Sequence, residues 1–323
     1  MRRSFMLASV LAASVLACAP LFAQEFPSRP VRIIVPYAVG NGADVFTRAL
    51  ADELSRAWKQ QVIVDNKLGS GGVIAMLDFK KSRGDGHDYI LGDVGILAIN
   101  PAMIRKLPYD PAADLVPVTD LLITPFVFFT AKDGPIKTLG ELIAAARANP
   151  GKYAYGTNGV GTPTYLTVEL LKRKAGIDML HVPYRDGNQM RIAATTGDIA
   201  LLTTVMVSAR PVIGRLTPLA VTSRSRNPAY PEVPTVAESG GPADFEASAW
   251  STLMTSPDTP RPVLQKVHAD VVRALQAPGV RKLSADLGFD VGGKTAEQTA
   301  QFIQGEARVY RELVEAAKLQ RDQ

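Results

Sequence analysis

The sequence predicts an α/β protein built as two lobes joined by a pair of extended crossings, and three observations carry that prediction. From Val31 onward, short β-branched runs alternate with amphipathic stretches, the signature of βαβ units on mostly parallel sheets. After a long apolar run at residues 126–130 the same alternation starts again. At 323 residues the chain also exceeds what one hydrophobic core usually serves.

The first 23 residues read as an export leader. Arg2 and Arg3 give a positive start, residues 5–17 an apolar stretch, and Leu21, Phe22 and Ala23 a cleavage site before Gln24. The apolar stretch is too short for a permanent span, and no later one approaches the ~20 apolar residues a span requires. The expected location is the periplasm. Residues 2–5 also partly fit a twin-arginine signal. The single cysteine, Cys18, lies inside the leader, so the mature chain is expected to have no disulfide and no thiolate site. A competing reading makes residues 15–18 a lipoprotein box with Cys18 as anchor; Leu16, where a smaller residue is usual, and the better cut after Ala23 speak against it.

Residues 31–35 are the first strand. Phe46, Leu50, Leu54 and Trp58 then fall four apart, with Ala49 and Ala57 alongside, which places one apolar face on a helix. Residues 62–64 form a second strand, Gly69, Ser70, Gly71 and Gly72 open a second helix, and the strand at 89–92 ends in Asp93. The buried strand at 126–130 precedes the second set: a helix over 138–148, a strand at 153–156, a loop over 157–163 and a helix ending at Gly176. Strands at 181–184, 199–202 and 219–222 follow. Residues 247–255, carrying Trp250, cross back, and helices occupy 263–275, 280–287 and 296–317. The crossings at 122–130 and 247–255 divide the mature chain into one lobe of residues 24–124 with 252–323 and another of 125–251.

Thirty-six basic residues face 31 acidic ones, or 34 once Arg2 and Arg3 leave with the leader. That mild excess suits anionic ligands. The basic residues are dispersed with no aromatic-interleaved stripe, so nucleic acid is not an expected partner. His87, His181 and His268 show no metal spacing, and no Gly-x-Ser-x-Gly elbow occurs, so neither a metal site nor a catalytic residue is expected. Residues 288–295 match the phosphate-loop spacing, yet a helix precedes them and fewer than thirty residues follow. Thr295 with Gln298 reads better as a capping box. A periplasmic hydrolase or lyase acting on a small carboxylate is the competing reading, because a missing motif does not exclude catalysis. No cofactor is expected, and composition gives no sign of an oligomer, so a monomer is.

In open α/β sheets ligands bind beyond the carboxyl ends of the strands. The loops after Val35, Val64, Leu91, Gly156 and Leu202 are therefore the candidate surface. Gly40, Asn41, Gly42 and Ala43 sit at a helix start, as do the loop containing Gly71 and the loop of Thr157, Asn158, Gly159, Val160, Gly161 and Thr162. Glycine lets N–H groups turn toward a cavity and the helix end adds partial positive charge, so each loop can seat a carboxylate without a salt bridge. Asp44 is first a cap for its own helix and second a ligand contact. Thr162 caps as well, with its hydroxyl toward the cleft. For Thr157 and Asn158, ligand contact and loop scaffolding weigh equally.

Several stretches then carry a resemblance: PSRPVRIIVP at 27–36, LAINP at 97–101, LPYDP at 107–111, HVPY at 181–184, LAVTS at 219–223 and VPTVAE at 233–238. Together they resemble the Bug family, the extracytoplasmic receptors of tripartite tricarboxylate transporters, in one order from about Pro27 to the C-terminus. The resemblance implies a type II periplasmic binding protein fold with a ligand cleft between the lobes, a small organic carboxylate or related ligand, and large and small membrane permease subunits as partners. It also implies two pincers that hold the carboxylate through backbone amides and water. Carried onto this chain, the first comprises Tyr37, Val39, Gly40, Asn41, Gly42, Ala43 and Asp44, and the second Thr157, Asn158, Gly159, Gly161 and Thr162. The chain departs from the family at Val39 to Ala43 in its glycine run, at Tyr165 in place of a histidine, and at Thr203 and Thr204, where Asp or Asn is common. Asp93 stands where a small hydroxyl or amide is usual. A carboxylate there would repel an anionic ligand unless the ligand brought a donor, and its alternative role is to cap a helix or face solvent.

Overall fold

A computed structural model describes residues 26–184, 186–206 and 213–322. The expected leader at 1–23, Cys18 included, lies outside the described residues.

The run VRIIV forms β1 (Val31–Val35), with its four aliphatic side chains buried. In α1 (Gly42–Trp58) the spacing of four buries Phe46, Leu50 and Leu54 on one face. β2 (Val62–Asn66) returns parallel to β1, α2 (Val73–Phe79) follows, and β3 (Asp88–Asp93) lies on the other side of β1, also parallel. A wide helical turn over Gly95–Ile99 runs into the short helices α3 (Asn100–Met103) and α4 (Pro111–Asp114). β4 (Val116–Ala131) then leads into the second set: α5 (Leu139–Ala148), β5 (Ala154–Thr157), α6 (Pro163–Ala175), β6 (Leu180–Pro183), α7 (Gly187–Thr196), β7 (Leu201–Val205) and β8 (Leu216–Val221). β9 (Ser248–Thr255) crosses back to α8 (Arg261–Leu275), α9 (Pro278–Leu287), β10 (Asp290–Val291) and α10 (Ala296–Ala316).

The strands form one curled sheet of order β2-β1-β3-β9-β4-β7-β5-β6, with β8 and β10 also on β4. β4 serves both α/β lobes. Its first part pairs antiparallel with β9, from Val116 opposite Thr255 to Pro125 opposite Ser248; its last six residues lie between β7 and β8. Sequence reasoning finds only the end of this strand because Pro117 and Pro125 interrupt the rest. Both prolines are tolerated at irregular places: the register slips between Pro117 and Thr119, and Pro125 is the last residue to face β9.

Apolar burial continues across the junction. One cluster joins Ile34, Ile90 and Leu97 of the first lobe to Tyr155, Leu166 and Leu171 of the second through Phe126, Phe128 and Trp250. α10 adds to this continuity by packing on β4, the Gly95–Ile99 turn, α3 and α6.

The stretch with phosphate-loop spacing holds an anion supplied by the chain itself. The N–H groups of Gly293 and Lys294 donate to the Asp120 carboxylate at 2.8 and 2.7 Å, and the Lys294 ammonium reaches its other oxygen. Asp120 is 1 % exposed, so this cradle is filled. Burial would raise its carboxyl, but the hydrogen bonds and charge of Lys294, with Gly293, hold it below the usual range. The Thr295 and Gln298 capping box is formed in both directions at the start of α10.

Candidate functional site

The loop after β1 is tied to its own helix. Asn66, the last residue of β2, donates through its side-chain amide to the Tyr37 carbonyl at 2.9 Å and to the Asp44 carboxylate at 2.8 Å. Asp44 also accepts from the Gly40 N–H at 2.8 Å and from Arg48 at 3.1 Å, and is 1 % exposed. Burial pushes its carboxyl up; the donors from Asn66, Arg48 and Gly40 outweigh that and leave it below the usual range. Gly40 takes φ +82°, in the region that favours glycine. The Asn41 side chain accepts from the Ala43 N–H at 3.0 Å and so caps α1. The N–H groups of Gly40 and Ala43 are thus engaged internally, while that of Gly42 has no hydrogen-bond partner among the described residues.

Above this loop lies a cavity of about 430 Å³. Tyr37, Gly40, Asn41, Gly42, Ala43 and Phe289 line it from the first lobe, and Arg191 of α7 and Val205 of β7 from the second. The crossing strands form its floor, Leu122 and Thr124 from β4 and Ala249, Trp250 and Ser251 from β9. Arg191 is the one charged side chain among these described residues. The Trp250 indole donates to Glu306 of α10 at 2.8 Å, and burial raises the Glu306 carboxyl.

Asp93 sits behind Tyr37 and outside the cavity lining. The Tyr37 hydroxyl donates to it, and so does the Ile96 N–H at 2.8 Å, at the start of the Gly95–Ile99 turn. Burial raises the Asp93 carboxyl against these hydrogen bonds. Burial, then the Asp93 charge, raises the Tyr37 phenol well above its ordinary value, so it stays protonated.

The other expected residues lie elsewhere. The Gly71 carbonyl accepts from the Asn100 amide at 2.8 Å. Thr157 is fully buried, its hydroxyl 2.8 Å from His181 Nε2 and accepting from the Gly159 N–H at 3.1 Å. Burial lowers the His181 imidazole, favouring its neutral form. Thr162 caps α6 through the Tyr165 N–H, and its hydroxyl donates to the Gly159 carbonyl at 2.7 Å. Gly161, at φ +82°, lies against Met103 of α3: a Cβ there would meet the methionine sulfur at 2.6 Å, so the lobes touch at this point. Asn158 is exposed, as is Val39 at the tip of the first loop. Thr203 is buried with no partner for its hydroxyl among the described residues, and Thr204 is half-buried opposite Val127.

The structure therefore brings the first loop together with the crossing strands and α7. Gly71, Asp93, the loop at 157–162 and the Thr203–Thr204 pair do not line the cavity. Sequence reasoning missed Arg191 and Val205 because it followed loops, and the floor because it treated the crossings as connections. Trp250, noted within a crossing, was the available signal.

Among the described residues no helix is long and apolar enough to cross a membrane, and no three metal-ligating side chains converge. A sequence profile described as "Tripartite tricarboxylate transporter family receptor" matches residues 46–319. A Pseudomonas sp. (strain P51) protein, the UPF0065 protein in the tcbD-tcbE intergenic region, is 33% identical over 92% of this chain and 89% of its own length. The R. palustris protein Rpa4515, solved with adipate, superposes with a TM-score of 0.80 at 28% identity, covering 91% of this chain and 99% of that one. MatC from Rhodopseudomonas palustris, solved with bound malate, gives 0.75 at 30% identity over 90% and 100%. With its cavity set between two α/β lobes, the chain belongs to the tripartite tricarboxylate transporter receptor family.

Proposed function

We propose that this protein is a periplasmic solute receptor that binds a small organic carboxylate in the cavity between its lobes, hands it to membrane permease subunits and makes or breaks no bond. The observation that carries this reading is the cavity's polarity: the start of α1 and one guanidinium in the lining, and no carboxylate among the described lining residues. A helix N-terminus with open N–H groups favours an anion. Relatives solved with adipate and malate support the same ligand class. A volume near 430 Å³ lies in the range of small-molecule sites.

In this reading the first loop holds the ligand through backbone donors, with Asn41 and the Tyr37 hydroxyl beside it. Asp93 acts by orienting Tyr37. The loop at 157–162, with Thr157, Asn158, Gly159, Gly161 and Thr162, closes from the second lobe, and Gly71, Thr203 and Thr204 support the walls. We place the lobe boundaries near Pro125 and Ser251, where β4 changes pairing partners and the chain crosses back. The receptor works as an exported monomer.

The test is a thermal-shift screen with mono-, di- and tricarboxylates, aromatic acids and amino acids, followed by calorimetry. A true ligand at a hundredfold excess over its Kd adds about 2.7 kcal/mol of stability. Recovery of the hit chemically unchanged is expected. Product formation from it would replace the receptor reading with a hydrolase or lyase.

A further inference from the structure

We infer that Arg191 selects for a second anionic group, so that the cavity prefers an acid with two charged ends and an apolar middle over a monoacid of the same length; this rests on the carboxylate-receptor reading above. Arg191 stands on α7 in the second lobe and lines the cavity whose other side is the start of α1 in the first. Its guanidinium donates to the Asn188 side chain one turn earlier, and no ion pair of Arg191 is found among the described residues. Other arginines near the first loop are matched: Arg32 meets three aspartates and Arg48 meets Asp44.

A half-buried guanidinium without a counter-ion favours an incoming carboxylate, because bidentate charge-assisted bonds then replace water. The two donors come from different lobes. A ligand charged at both ends engages both and draws the lobes together, whereas a monoacid leaves one unmet. Between them the surface is apolar, from Leu122, Val205, Ala249 and Phe289. Two of the floor's three polar side chains are already engaged, Thr124 with the Gly288 carbonyl at 3.4 Å and the Trp250 indole with Glu306 at 2.8 Å. The middle of the ligand therefore meets little that would reward a hydroxyl or amine.

The test is calorimetric titration of wild type, Arg191→Gln and Arg191→Lys with matched pairs: succinate and butyrate, adipate and hexanoate, suberate and octanoate. In wild type the diacid of the best-fitting pair binds at least tenfold tighter than its monoacid. Arg191→Gln brings that ratio within about threefold, and Arg191→Lys recovers part of it. A ratio preserved in Arg191→Gln overturns the inference, as does a wild-type protein that binds both members equally. Binding of neither class to wild type would remove the carboxylate reading too, so the two failures are told apart.

Discussion

Asp120 shows how one side chain can answer a motif. Its carboxylate is held by two backbone N–H groups and the Lys294 ammonium, in a stretch that by spacing alone would suit a phosphate, and the match is internal to the fold. Asp120→Ala strands the Gly293 and Lys294 donors and is expected to cost about 2–4 kcal/mol in urea unfolding. Its pH signature follows from the depressed carboxyl. A group held below its unfolded value near 3.8 contributes stability at higher pH and loses it as the pH falls through its folded value. Denaturation midpoints measured from pH 6 down to pH 2.5 should therefore fall less steeply in the variant than in the wild type. An equal slope would mean that Asp120 protonates in the folded protein as it does in the unfolded one.

At the scale of elements, the site depends on how α1 begins. Asn41 caps the helix and Asp44 pins Gly40, so the loop that lines the cavity is held to its own helix. Asn41→Ala should destabilise the protein by about 1 kcal/mol through loss of the cap and weaken ligand binding as well, which thermal unfolding and titration on one preparation would separate. Much of this was legible beforehand. The fourfold apolar spacing marked α1, and the glycines before it marked the loop. A local role for Asp44 was also readable, because a carboxylate in a first turn has nearby donors, although it takes the Gly40 N–H of the loop while Asn41 caps the helix. Arg191 was not legible, since a single cation on an amphipathic helix carries no periodic signal and its place at the cavity is decided by the packing of α7. Nor was the full length of β4, whose prolines look like strand ends until the partner strand is seen.

For the whole molecule, Gly161 lies against the end of the Met103 side chain where the lobes meet. Gly161→Ala puts a methyl group 2.6 Å from the methionine sulfur and strains a backbone at φ +82°. We expect it to hold the lobes further apart, raising the radius of gyration in small-angle scattering and reducing ligand affinity. Adding Met103→Ala should return the scattering value toward wild type, because the space is restored while the backbone strain is not; no return would place the effect in the strain alone.

β4 passes unbroken from one half of the protein to the other, gaining β7 and β8 as it loses β9. A ribbon of that kind bends as a leaf spring bends, over several residues at once and with a restoring force. We expect any closing of the lobes to be a small elastic flexure of this strand, rather than the free swing of two bodies on a slack tether.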